Sequence, residues 1–286
     1  MLIAIASGKG GTGKTTLAVS LAKTVEEQVQ LLDCDVEEPN SQLFVKGAPA
    51  GSVVVSIGVP QVDAARCSCC GECARFCRFN AIAVPRGRPL VFPELCHDCV
   101  GCMLVCPERA ISMIDRRIGV IEVFEAGRIA VHQGRLDVGE ALAPPLIRAV
   151  KAGRRLDIPV IIDAPPGTAC AMVAAVRDCD FVILVTEPTP FGLHDLTLAV
   201  ETVRELKLPF GVLVNRMGAG DNRVHSFCAA ERIPILAEIP DDRRIAELYS
   251  RGEVLIESLP EYRPVFQGVL DKIRQLLSSR RTAAFA

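Results

Sequence analysis

Gly8-Lys9-Gly10-Gly11-Thr12-Gly13-Lys14-Thr15-Thr16 follows the apolar run Leu2-Ile3-Ala4-Ile5-Ala6 and precedes Leu17, Ala18, Leu21, Ala22 and Val25. The run before it reads as a buried parallel strand, and the apolar residues after it recur at helical spacing. Strand, glycine-rich turn and helix form a setting in which a chain can grip phosphate. Glycines let the backbone curl until its N–H groups point inward, and the helix adds the positive end of its dipole. Gly8 to Thr15 fit G-x-x-x-x-G-K-[ST]. In such a loop Lys14 reaches the β- and γ-phosphates of ATP and the Thr15 hydroxyl ligates Mg²⁺. Gly8, Gly10, Gly11, Thr12, Gly13 and Thr16 supply the rest of the cradle. A glycine turn without a ligand is the competing reading, and the flanking strand and helix argue against it.

Two further apolar runs end in acid. Val29-Gln30-Leu31-Leu32-Asp33-Cys34-Asp35 places two carboxylates two residues apart, so they share a face if the strand continues. At the C-terminal end of a parallel strand they stand beside the phosphate loop, where open α/β sheets bind ligands. Pro159-Val160-Ile161-Ile162-Asp163 has the Walker B pattern, in which Asp163 holds Mg²⁺ through water. Phe181 to Pro188 and Gly211 to Arg216 read as further buried strands, the first followed by a loop and a helix from about His194. Val120 to Phe124, Glu-Ala-Gly-Arg and Ile129 to Val131 read as a hairpin with a glycine turn. Leu136 to Leu156 carries helix-spaced apolar residues, and Pro144-Pro145 must start or break that helix.

The chain has 286 residues, 50% of them hydrophobic, enough for a large core in one or two domains. A net charge of −2 gives no nucleic-acid footprint. No apolar run is long enough to span a bilayer, and the first strand begins without a signal-peptide pattern, so a cytoplasmic location is expected. Thirteen cysteines in such a chain argue for metal ligands and reduced thiols rather than disulfides.

Near Gly58 the sequence changes character. Cys67, Cys70, Cys73 and Cys77 form C-x₂-C-x₂-C-x₃-C, and Cys96, Cys99, Cys102 and Cys106 repeat it, each 29 residues on (67 to 96, 77 to 106). Asn80-Ala81-Ile82 and Arg109-Ala110-Ile111 keep the same offset, which marks an internal duplication. Structural zinc, the alternative, prefers one quartet built from separated C-x₂-C pairs. The spacing resembles that of bacterial two-cluster ferredoxins over roughly residues 60 to 115. That resemblance implies two [4Fe–4S] clusters with crossed ligation: Cys67, Cys70, Cys73 and Cys106 on one, Cys96, Cys99, Cys102 and Cys77 on the other. Two features depart from the pattern. Arg78 follows Cys77 where proline is usual, and Cys69 adds a thiol that either stands aside or competes with Cys70.

The second lysine of the phosphate loop, Lys9, resembles the deviant Walker A motif of the MinD/ParA/Mrp group of P-loop ATPases, which includes the nitrogenase iron protein. Asp33-Cys34-Asp35 with Glu38-Pro39-Asn40, and Asp163-Ala164-Pro165-Pro166-Gly167-Thr168, are similar to the switches of the Mrp branch. The resemblance implies an ATP-hydrolysing dimer, either homodimer or heterodimer with a similar ATPase, in which Lys9 reaches across to the partner's nucleotide. It implies that Asp35 orients the attacking water and that Asp33 supports Mg²⁺ or the same water. It further implies that Gly167 presents an N–H to the γ-phosphate, that Asn215 and Arg216 bind the base, and that Pro240 and Asp241 add a second base-contacting loop.

The expected fold is α/β: a doubly wound P-loop ATPase domain with a mostly parallel sheet, residues 1–58 and 118–286, carrying an inserted α+β bacterial-ferredoxin-like domain at 59–117. The leading functional expectation is nucleotide-gated electron transfer with a redox partner. Mrp-type assembly or delivery of clusters to an apo-protein, and MinD-like positioning with structural clusters, are the alternatives. Amide ligation ranks last, because no glutaminase domain accompanies the chain. Lone Cys34, Cys170, Cys179 and Cys228 read as core residues, and the C-x-x-C that Mrp-type carriers place near Cys228 is not present. Val265 to Leu277 has one apolar face, expected to pack on the sheet. Arg280 and Arg281 beyond it leave a membrane-lying helix as the lesser reading, so membrane contact is not expected.

Overall fold

The computed structural model describes residues 1–284, and side chains as far as residue 279. The strands are β1 (Leu2–Ala6), β2 (Val29–Asp33), β3 (Ala48–Val62), β4 (Ile82–Ala83), β5 (Leu90–Val91), β6 (Ile111–Ala126), β7 (Ile129–Leu136), β8 (Val160–Asp163), β9 (Phe181–Thr186), β10 (Phe210–Met217) and β11 (Ile235–Pro240). Nine of them form one sheet in the order β11-β10-β9-β1-β8-β2-β7-β6-β3. From β11 to β7 every neighbouring pair is parallel; β7–β6 and β6–β3 are antiparallel.

Alternation along the central strands sends side chains into two cores. Ala4, Leu32, Ile162, Leu184 and Val212 face one side, against the helices Ala143–Ala152, Cys170–Val176, Pro190–Glu205 and Arg223–Ala230. Ile3, Ile5, Leu31, Ile161 and Ile183 face the other, against Lys14–Thr24 and Arg263–Ala284. Strands buried on both faces need the continuous apolar runs seen in the sequence. Phe266, Val269, Leu270 and Ile273 bury the apolar face of the last helix in the second core, so it packs on the sheet. The side chains of Arg280 and Arg281 lie outside the described residues. Among the described residues no helix is long and apolar enough to cross a membrane.

The hairpin at Gly127 joins β6 to β7, and β7 pairs with β2 in parallel, returning the chain to the sheet. Pro144 and Pro145 start the helix Ala143–Ala152, where a missing N–H costs nothing. β3 and β6 form a long antiparallel ribbon whose far end carries the cysteine repeats. Asp63 N–H donates to Ala110 O and closes that end. The boundaries expected at 58/59 and 117/118 therefore fall inside paired strands, and the segment beyond the ribbon runs from 63 to 110. Its own core is small, Ile82, Cys102 and Ile111, and it leans on the main core through Ala81 and Cys96.

Candidate functional site

The phosphate loop leaves β1 and enters Lys14–Thr24 through Gly13, whose φ is +92°. A Cβ on Gly13 would also stand 2.6 Å from Asn215 Nδ2, so glycine is required both by conformation and by the approach of Asn215. Asn215 Nδ2 donates to Thr12 O (2.8 Å), and Arg216 N–H donates to Asn215 Oδ1 (3.0 Å). The C-terminal end of β10 is thus tied to the phosphate loop. A cavity of about 470 Å³ opens beside them, lined by Gly10, Gly11, Gly13, Lys14, Thr15 and Thr16, with Asp35, Asn215, Arg216, Pro240 and Asp241. Most of the residues expected at a nucleotide meet there. Gly8, Lys9, Thr12, Asp33, Asp163 and Gly167 do not line it. Tyr249, Ala246 and Ile245 do, from the helix Arg243–Ser250, which the sequence reading left out. Asp242 caps that helix by accepting from Arg244 N–H, a signal present in the sequence as an acid before a helical stretch.

At the floor, Thr15 Oγ1 donates to Asp163 Oδ2 (2.6 Å), while Asp163 Oδ1 is buried with no partner among the described residues. Burial pushes the Asp163 carboxyl well above the usual range, and Asp33, its register neighbour on β2, pushes it further. Burial lowers Lys14, against the pull of Asp163 and Asp35. Burial, then Asp33, raises Asp35 to about 6. A threonine hydroxyl beside an orphaned buried carboxylate oxygen is a hard-oxygen donor set, which suits Mg²⁺ held mostly by phosphates and water. Among the described residues no three His, Cys, Asp or Glu gather closely enough to hold a metal ion by themselves.

Two expected site residues are engaged by neighbouring backbone groups. Asp33 Oδ1 accepts from Asp35 N–H (3.1 Å), and Oδ2 accepts from Asn40 N–H (3.0 Å) and Ser41 N–H (2.9 Å). Fully buried and so engaged, Asp33 anchors the loop that presents Asp35; it is not aimed at the cavity. The Gly167 N–H donates to Ser7 O (3.0 Å), tying the switch after β8 to the base of the phosphate loop, and only its neighbour Pro166 lines the cavity. Lys9 lies over its own subunit: its Nζ pairs with Glu187 Oε2 at 2.9 Å, and Arg216 Nη1 takes Oε1 of the same carboxylate at 3.1 Å.

The cysteines line two separate cavities. One is ringed by Cys77, Cys96, Cys99 and Cys102, the other by Cys67, Cys70, Cys73 and Cys106. Each cavity therefore draws three thiols from one repeat and the fourth from the other. The duplication extends to the backbone: left-handed residues recur 29 apart at Cys69 and Asp98, Gly71 and Val100, and Asn80 and Arg109. Ala81 N–H donates to Cys77 Sγ and Ala110 N–H to Cys106 Sγ, both at 3.3 Å. The first quartet, whose Cys96 reaches the main core, is the inner one; its Cys96 and Cys102 are buried, whereas no thiol of the outer quartet is. Burial pushes Cys102 up to about 11, so an uncompensated thiolate is disfavoured there. Cys69 also borders the outer cavity, and its Sγ is engaged by backbone, donating to Gly87 O (2.7 Å) and to Cys67 O (3.9 Å). Of the lone cysteines, Cys34, Cys179 and Cys228 are buried as expected and Cys170 is exposed.

The family described as CobQ/CobB/MinD/ParA nucleotide binding domain matches residues 3–256. An uncharacterized protein of Methanocaldococcus jannaschii is 30% identical over 90% of this chain and 92% of its own. A protein of Aquifex aeolicus named iron-sulfur cluster carrier protein is 24% identical, over 98% of this chain and 68% of its own. Among solved structures, the septum site-determining protein MinD of Pyrococcus horikoshii, complexed with Mg-ADP, superposes with a TM-score of 0.58 at 20% identity, covering 96% of each chain.

Proposed function

The chain belongs to the CobQ/CobB/MinD/ParA nucleotide-binding family, and from that premise we propose that it hydrolyses MgATP between two such subunits, with the nucleotide state governing an inserted two-[4Fe–4S] module that exchanges electrons with a partner protein. The observation that carries this reading is the pair of cavities, each ringed by a crossed quartet of thiols. Four thiolates on one zinc, at about 2.3 Å from the metal, crowd around a point. A cubane spreads its ligands over separate iron atoms, and among the described residues no three cysteines gather closely enough to hold a single metal ion. Backbone N–H groups on Cys77 and Cys106 suit anionic sulfur, and the small local core leaves stability to whatever those thiols bind.

Thr15 and Asp163 are the residues that would hold Mg²⁺, which supplies neutralising charge and orientation at the phosphates. Lys14, buried and flanked by carboxylates, is the cation for the β- and γ-phosphates. Asp35 lines the cavity with a carboxyl poised at about 6, suited to orient water and take up its proton as the γ-phosphoryl group departs from ADP. Asn215 and Arg216, with Pro240 and Asp241, would contact the base, a reading supported by all four lining the same cavity as the phosphate loop. Lys9 acts across the subunit boundary on the partner's nucleotide. Cys77, Cys96, Cys99 and Cys102 would hold one cluster and Cys67, Cys70, Cys73 and Cys106 the other; the clusters supply one-electron chemistry.

Anaerobic EPR of the dithionite-reduced protein with and without MgATP tests the gating. A nucleotide-dependent change in a cluster signal or in its rate of reduction is expected. Identical spectra and rates in both states would sink it. Delivery of a cluster to an apo-protein is the second reading, favoured by the relatives named iron-sulfur cluster carrier protein. Transfer of iron and sulfide to an apo-ferredoxin without redox turnover would put that reading first.

A further inference from the structure

Glu187 directly follows β9, ahead of Pro188 and of Thr189, which caps the helix Pro190–Glu205. Its side chain is 9% exposed, yet it meets two cations from different parts of the site, Lys9 at 2.9 Å and Arg216 at 3.1 Å. The backbone around it is fixed. Thr189 N–H donates to Glu187 O (2.8 Å), Thr189 Oγ1 accepts from Gly192 N–H (3.0 Å), and a Cβ on Gly192 would stand 2.2 Å from Glu187 O. The carboxylate therefore stays where it is, and it is the cations that can leave. The Lys9 side chain is 33% exposed, so its ammonium has a way out.

We infer that Glu187 is a positioning residue that parks Lys9 within its own subunit, so that Lys9 engages the partner's nucleotide only when this pair breaks. The inference rests on the reading of Lys9 as a lysine that acts in trans. One ammonium cannot sit on its own glutamate and on a partner's γ-phosphate together. A carboxylate shared between two cations holds each less firmly than a dedicated pair, and a triphosphate offers Lys9 more negative charge than Glu187 does. The pair therefore withholds Lys9 from weak encounters and yields to a partner loaded with ATP.

The test is self-association of the full-length protein, kept anaerobic with Mg²⁺ and a non-hydrolysable ATP analogue, followed by sedimentation. Glu187→Gln keeps the shape and removes the charge. It is expected to tighten the dimer about two- to fivefold, and to change nothing when combined with Lys9→Ala. Without nucleotide, the same substitution is expected to raise severalfold the rate at which an amine-reactive reagent modifies Lys9, read by peptide mass. A merely structural role for Glu187 would leave that rate alone. Unchanged or weaker association in Glu187→Gln, with Lys9→Ala still unable to associate, overturns the parking role and spares the trans reading. Lys9→Ala that associates and hydrolyses like the unsubstituted protein overturns the trans reading itself. Should Glu187→Gln fail to fold, Glu187→Asp, which withdraws the carboxylate from both cations, carries the same expected direction.

Discussion

Three carboxylates share the strand ends beneath the phosphate loop, and they do different jobs. Asp163 holds the Thr15 hydroxyl, Asp35 lines the cavity, and Asp33 serves the backbone. Replacing Asp33 with Asn keeps the volume but turns an amide donor toward N–H groups that need an acceptor. The expected cost is about 1–3 kcal/mol of stability, seen as a fall in melting temperature of the nucleotide-free protein. An unchanged melting temperature with lost hydrolysis would instead return Asp33 to the chemistry. The sequence showed these acids because each ends an apolar run. It did not show which way each faces, since that depends on the chain turning back through Asn40 and Ser41. Glu187 was illegible for a different reason: at the end of an apolar run nothing in the sequence names a partner for it, and only the tertiary fold brings Lys9 and Arg216 to it. Gly13 and Lys14 were readable because their constraint is local.

Among the elements, the β3–β6 ribbon carries the argument, and β3 was the strand hardest to foresee. Ala48 to Val62 contains Pro49, Gly51, Gly58 and Pro60, which read as loop. An edge strand tolerates them because one side of its backbone needs no partner, and β3 is the sheet's edge. The parallel strands were legible because burial on both faces leaves unbroken apolar runs. The ribbon's root is fastened to the segment after β7 by the ion pairs Arg116–Glu140 and Arg117–Asp137, and Glu140 also accepts from Leu142 N–H (3.1 Å). Arg117 and Asp137 are exposed enough that solvent screens their pair. Arg116–Glu140 is more enclosed, and Arg116 Nε and Nη2 have no partner among the described residues, so it is the fastening that matters. Glu140→Gln is expected to cost about 1–3 kcal/mol and to shrink the MgATP-dependent change in the EPR spectrum, with iron content unaltered. A full-sized spectral response in that variant would show that the coupling does not pass through the ribbon's root.

At the scale of the whole molecule, an ATP-handling sheet and a thiol-rich module share one chain without sharing a core of comparable size. The 29-residue repeat made the module readable before any coordinates, since paired spacing survives whatever the surroundings. Its inner and outer ends were not readable, because they depend on Ala81 and Cys96 docking against the main core. Crossed ligation makes a sharp prediction. Cys77→Ser lies in the first repeat but lines the inner cavity. It is expected to remove the inner cluster and about half the iron, leaving one reducible signal from the outer one. Loss of the outer signal instead would mean that each repeat holds its own cluster. The ribbon also has a mechanical consequence. β6 from Ile111 to Ile118 extends past its pairing with β7, about 26 Å at a rise of about 3.3 Å per residue. A cantilever of that length turns a tilt of about 10° at its base into a swing of roughly 4–5 Å at its tip. On the electron-transfer reading proposed above, tunnelling decays so steeply with distance that such a swing would connect or isolate a redox partner, with no hinge in the arm.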